Sequence, residues 1–197
     1  MQKLKSAVLH VVGRVPAADL GAVKLHKVLY YFDMFFYVEH GRSVTGSVYR
    51  KRPFGPTNDR LLRVIDELVQ DGSLEVSDVN YFGYKKKEFR STRSGQTNAL
   101  SSDEVAYLND VTDFVCKEHS AKTISDMSHS LAWELAKSGE VIPYHSVFHI
   151  FPSEPTKDTI GWADAEARTV ADSGQNRDTV DFVSYASFRS RLHPARV

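Results

Sequence analysis

The sequence predicts an α+β fold that is predominantly helical, with about five helices packed around a central buried helix at residues 20–40 and a small antiparallel β element beside them. Three observations carry this. The stretch LGAVKLHKVLYYFDMFFYVEH, from Leu20 to His40, has apolar residues pointing in several directions, as in a helix covered on most sides. Four further segments carry apolar residues at helical spacing. Two segments alternate at period two around glycine-containing links.

The elements follow in order. Leu4, Ala7, Val8, Val11 and Val12 recur at helical spacing and predict a first helix ending near Gly13, ahead of Pro16. Asp19 stands as an N-cap and Gly41 as a C-terminal stop for the central helix, which spans roughly 30 Å. Val44, Gly46 and Val48 alternate with more polar neighbours, predicting a strand from Ser43 to Arg52 that Pro53, Gly55 and Pro56 end. Leu61, Leu62, Ile65, Leu68 and Val69 share a face of a helix from Thr57 to Gln70. Leu74 to Asn80 and Tyr84 to Ser91 read as a hairpin linked through Gly83.

Ser101 or Ser102 caps the next helix, with Val105, Leu108, Val111 and Val115 on its core face. Thr123 and Asp126 are a loose capping box opening a helix through Ala136, with Met127, Leu131 and Leu135 as its seam. Val141 to Phe151 reads as extended after Pro143. From Pro152 the composition turns to Ser, Thr, Asp, Pro and Gln, so the expected boundary separates a domain of residues 1–151 from a polar appendage of 152–197. A short helix from Thr159 to Val170 is expected there, and the tail from Phe182 mixes aromatics with Arg189, Arg191 and Arg196.

Composition excludes several classes. The chain has 197 residues, a net charge of zero and one cysteine, Cys116. An internal disulfide and a multi-thiolate metal site are thereby ruled out. A neutral chain is a poor non-specific nucleic-acid or membrane binder. No apolar run approaches about 18 residues, and the N-terminus does not read as a signal peptide, so a cytoplasmic protein is the expectation. Phosphate-loop, dinucleotide, nucleophile-elbow and HExxH motifs are absent; among the scattered histidines His145 and His149, four apart, would suit two ligands on one helix face, but Pro143 argues against a long helix there, so no metal or cofactor is expected.

Polar residues within the central helix are more informative. His26, Tyr30, Asp33 and Tyr37 fall along one face, with Lys24, Lys27 and Tyr31 in a second row. A carboxylate in an apolar run needs donors, so Asp33 should accept from Tyr30, Tyr37 or a distant basic residue. The first reading is a structural network, and the alternative is a functional site on that face. Elsewhere YFGYKKKEFRSTR combines lysines and arginines with aromatics, giving Tyr81, Tyr84, Lys86, Phe89 and Arg90 as the candidate partner-binding residues.

Two blocks resemble the SocA-like antitoxin domain, also called Panacea. In the first, Lys24, Leu25, Lys27, Val28, Leu29, Tyr30, Phe32 and Asp33 match the family's opening helix; Gly41, Ser43, Val44, Thr45, Gly46 and the Gly55-Pro56 turn follow. In the second, TISDMSHSLAWELAKSGEVIPY resembles the Ser-His…Trp helix, with His129 in place and Trp133 close to the family spacing. The resemblance extends over about Met1 to Phe151. It implies a non-enzymatic antitoxin, with relatives in prophages and a role in phage defence. Such a protein binds a cognate toxin from the neighbouring gene, and one branch hands its toxin to a Clp protease. The competing readings are a DNA-binding autorepressor using the basic hairpin and an enzyme using His26, Asp33 and His129.

Overall fold

The computed structural model describes residues 1–81, 83–92, 99–149 and 157–172. The chain divides into two units, Met1–Pro152 and Ser153–Val197. In the first, α1 (Gln2–Arg14) and α2 (Ala22–His40) are followed by a tight hairpin of β1 (Tyr49–Arg52) and β2 (Gly55–Asn58), then α3 (Leu61–Gln70). A long ribbon comes next, β3 (Leu74–Tyr81) and β4 (Tyr84–Ser91), and after it α4 (Ser102–Lys117). Two short helices, α5 (Ala121–Met127) and α6 (Leu131–Leu135), lead to β5 (Val141–Ile142) and a 3-10 turn at Tyr144–His149. The second unit contributes α7 (Lys157–Asp172), over the span where the sequence places its short helix. The expected tail from Phe182 lies outside the described residues.

The fold is α+β and mostly helical, with α2 at its centre. Every residue from Lys27 to Met34 is buried, which explains why no single apolar stripe is visible: neighbours cover this helix all round. It begins after Gly21 rather than Asp19, whose N–H bonds the Pro16 carbonyl, and ends at Gly41 in the left-handed conformation, φ 66°. Ser101 and Glu104 form a full capping box at the start of α4.

Four expectations are corrected. Only Tyr49–Arg52 of the first expected strand is extended, because the residues before it wrap Asp33 instead. Gly55 and Pro56 do not end the β element; they lie in β2, which pairs back as Lys51↔Pro56 and Arg52↔Gly55, and this delays α3 to Leu61. The helix expected from Thr123 to Ala136 is two helices. Ser120 is the cap of the first, accepting from Thr123 N, and Ser128 breaks the run by donating to the Ser125 carbonyl at 2.6 Å. Leu131 and Leu135 are therefore no core seam and stand 52% and 77% exposed. Finally, only two residues after Gly139 are extended before the chain turns into the 3-10 segment.

β1 is the middle strand of a three-stranded sheet, ordered β2-β1-β5 and antiparallel throughout. The ribbon is separate, in register from Leu74↔Ser91 to Tyr81↔Tyr84.

Candidate functional site

Asp33 is wholly buried at the middle of α2. Its carboxylate accepts from the backbone N–H groups of Val44 and Thr45 at 2.9 and 2.8 Å, from the Thr45 hydroxyl, and from the Tyr49 hydroxyl at 2.8 Å. Tyr144, 3.5 Å from the same oxygen, donates to the Ser47 carbonyl at 2.5 Å. Burial pushes the carboxyl above its ordinary value, while the bonds from Thr45, Tyr49 and Val44 pull it down. The donors are thus not Tyr30 or Tyr37. They come from the loop and strand that follow the helix, and Gly46, at φ 64°, supplies the left-handed turn that bends this loop. Asp33 pins three elements to α2.

Six residues earlier on the helix, Lys27 is 1% exposed. Its Nζ reaches the Pro56 carbonyl at 3.4 Å and has no acidic partner among the described residues. Burial lowers its pKa to about 7. Gly55 lies against it at φ 92°, and a methyl group there would collide with Lys27 Nζ and Ser128 Oγ. The neighbouring His129 ring stacks on Trp133 at 3.8 Å, Trp133 donates to the Arg52 carbonyl at 3.2 Å, and Lys51 Nζ sits 4.4 Å over the indole. Burial, then the Lys27 charge, depress the His129 pKa. This second pin holds the β1–β2 turn between α2 and the α5–α6 junction.

Lys24 donates to the Cys116 carbonyl at 3.0 Å and ties α2 to α4. His26 lines a cleft of about 440 Å³ with Leu61, Ile65 and Phe89, its pKa lowered to about 4 by burial and then by Lys27. Tyr30 packs edge-on against Tyr31 and Tyr49, at 5.2 and 5.3 Å. No hydrogen bond joins His26, Asp33 and His129 among the described residues, so the enzyme constellation does not assemble as a network. No cluster of three His, Cys, Asp or Glu side chains suited to a metal occurs among them either.

The ribbon residues divide by face. Tyr84 is 78% exposed and Arg90 is exposed on the same side. Lys86 projects from that same face but is tied down, donating to the Ala18 carbonyl and to Glu88. Phe89 corrects the expectation made of it: it points to the other face, is 1% exposed and belongs to the core. Tyr81 ends β3, and its side chain lies outside the described residues. Sequence reasoning missed Tyr49, Tyr144 and Ser128 as pin residues, and Phe54, 71% exposed at the tip of the β1–β2 turn.

The model of the family described as antitoxin SocA-like, Panacea domain, matches residues 25–134. The chain belongs to the SocA-like Panacea family. No curated protein and no solved structure matches it. The family match contains both pins, from Lys27 and Asp33 through the Gly55-Pro56 turn to His129 and Trp133; only Tyr144 falls beyond it. No helix among the described residues of this Panacea protein is long and apolar enough to cross a membrane.

Proposed function

We propose that this Panacea protein is the antitoxin of a two-gene toxin–antitoxin system and neutralises a cognate toxin by direct protein binding, with residues 1–151 as the binding domain and the appendage adding partner choice. One observation supports the reading most. The polar residues of the family signature on α2 are turned inward, so the signature maintains a shape, and what the domain offers to a partner is a set of exposed large side chains: Phe54, Tyr84, Arg90, Leu131 and Leu135. Aromatic and arginine anchors of this kind dominate protein–protein binding, and a stable interface would bury at least about 1,000 Å².

DNA binding is less favoured. Lys86 is occupied internally and Lys87 pairs with Asp78 at 3.3 Å, which leaves the ribbon few cations for phosphates. Delivery of the bound toxin to a Clp protease would be a consequence of binding rather than a rival to it.

The test is co-expression with the product of the adjacent gene, scored by growth and then co-purification. Rescue and a stable complex are expected. The Tyr84→Ala/Arg90→Ala double variant should lose rescue while keeping its circular dichroism; undiminished rescue would remove the ribbon from the interface, and a wild-type chain that neither rescues nor binds would refute the antitoxin reading.

A further inference from the structure

The β3–β4 ribbon has two edges with different surroundings. β4 lies against α1 and α2, and its Lys86 reaches the Ala18 carbonyl, while β3 packs against α3 at its start, where Val69 and Val76 line a shared cleft. The outer edge of β3 pairs with no strand among the described residues.

The ladder fixes which backbone groups that edge presents. Thr92 N donates to the Ser73 carbonyl at 3.1 Å, so Ser73 and Thr92 form a hydrogen-bonding pair. Such pairs alternate along an antiparallel ladder. In the register Leu74↔Ser91 to Tyr81↔Tyr84, the inward-bonding pairs are then Glu75–Arg90, Ser77–Glu88, Val79–Lys86 and Tyr81–Tyr84. The N–H and C=O groups of Leu74, Val76, Asp78 and Asn80 point away from β4. Leu74 is buried, but Val76 is only half-buried and Asp78 and Asn80 are exposed.

Exposed edges are usually blunted by charged side chains, lysine above all, or by proline, a bulge or shortness. β3 has no lysine, proline or bulge and is not short: it runs for eight residues, LEVSDVNY, in unbroken register, with two carboxylates as its only charges. Its charges are Glu75 and Asp78, whereas Lys85, Lys86, Lys87 and Arg90 all lie on β4. A second copy of the chain added here would bring the carboxylates of both copies and no lysine or arginine to the new seam, so a strand that carries basic side chains is the better electrostatic match.

We propose that the β3 edge captures an extended, lysine- or arginine-bearing segment of the partner protein as a third strand, through the outward backbone of Val76, Asp78 and Asn80. The inference rests on the antitoxin reading and names how the toxin is held. Main-chain bonds would supply the attachment; Glu75 would select a basic side chain on its face, and Asp78 would do so on the other face by exchanging its exposed pairing with Lys87, now at 3.3 Å.

The test uses the full chain and the protein encoded by the adjacent gene. In the complex, hydrogen exchange at the amides of Val76, Asp78 and Asn80 should slow at least about tenfold, while Glu75, Ser77 and Val79, already bonded within the ribbon, change little. Asp78→Pro removes one outward N–H without touching the inward ladder and should weaken binding at least about tenfold with circular dichroism unchanged; Asp78→Ala, which keeps the N–H, should lose less. A complex in which those three amides exchange as in the free chain, or one that Asp78→Pro leaves at wild-type affinity, overturns the proposal and leaves the antitoxin reading standing. Failure of the wild-type chain to bind any adjacent-gene product removes both. A dimer of the chain alone that Asp78→Pro abolishes assigns the edge to self-association and likewise overturns it.

Discussion

Replacing Lys27 by methionine should make the protein more stable at neutral pH. The lysine is 1% exposed and carries one long bond to a carbonyl, so its charge has little to offset desolvation. Its pKa falls from 10.5 in the unfolded chain to about 7 in the fold. Below pH 7 the side chain is charged in both states, and the folded state bears the whole cost. Between about 7 and 10.5 the folded chain has released a proton that the unfolded chain still holds, so stability rises with pH; above 10.5 the effect is complete. The interval corresponds to about 5 kcal/mol as an upper bound, at about 1.4 kcal/mol per pH unit. Losing the Pro56 contact returns about 1–2 kcal/mol of this. Lys27→Met should therefore be about 1–3 kcal/mol more stable near pH 7, with the advantage shrinking by about 2–3 kcal/mol between pH 7 and 9. Urea denaturation of both proteins at pH 6, 7, 8 and 9 measures this. Parallel pH profiles, or a methionine variant that is less stable at pH 7, would refute the reasoning.

Asp33→Asn turns one acceptor oxygen into a donor facing donors, and a loss of about 3–5 kcal/mol in chemical denaturation is expected, with a thermal midpoint lowered accordingly. Gly55→Ala should cost more than about 2 kcal/mol, because strain at φ 92° adds to the collision with Lys27 and Ser128; Gly72→Ala, at φ 72° in open space, should cost about 1 kcal/mol by the same measurement. Ser101→Ala removes the capping box of α4 and should lower stability by about 1 kcal/mol, with Ser102→Ala as a near-neutral control.

Much of this was legible in the sequence because the signals are local. Gly41 stops α2 for a reason intrinsic to glycine, and the Ser101-Ser102 pair marks the start of α4 to within a residue, Ser101 proving to be the cap. The distribution of apolar residues around α2 was itself a correct report of burial on all sides. What escaped depends on partners far along the chain. That Asp33 needs donors follows from its surroundings, but Tyr144 is 111 residues away and nothing local points to it. Lys27 reads as one more solvated lysine until the Gly55-Pro56 turn closes over it. Phe89 alternates with Lys86 and Arg90 in a run of aromatics and bases, and only the register and the packing of α3 decide which face is covered. Ser128 breaks its helix through a bond to its own turn that the loose Thr123–Asp126 pattern concealed.

The wiring of α2 also sets a condition on synthesis. This helix emerges early, yet its carboxylate meets Tyr144, its Lys24 meets Cys116, and the His10 ring of α1 meets Asn109 at 2.7 Å. At roughly 5–20 residues per second, the ribosome needs on the order of 5–20 s after completing α2 to deliver the residues that cover it. Throughout that interval the most apolar helix of the protein has no finished surroundings, so a nascent chain or a message truncated before residue 144 would present it to chaperones and proteases. The supply of folded protein is thereby tied to uninterrupted translation of nearly the whole domain.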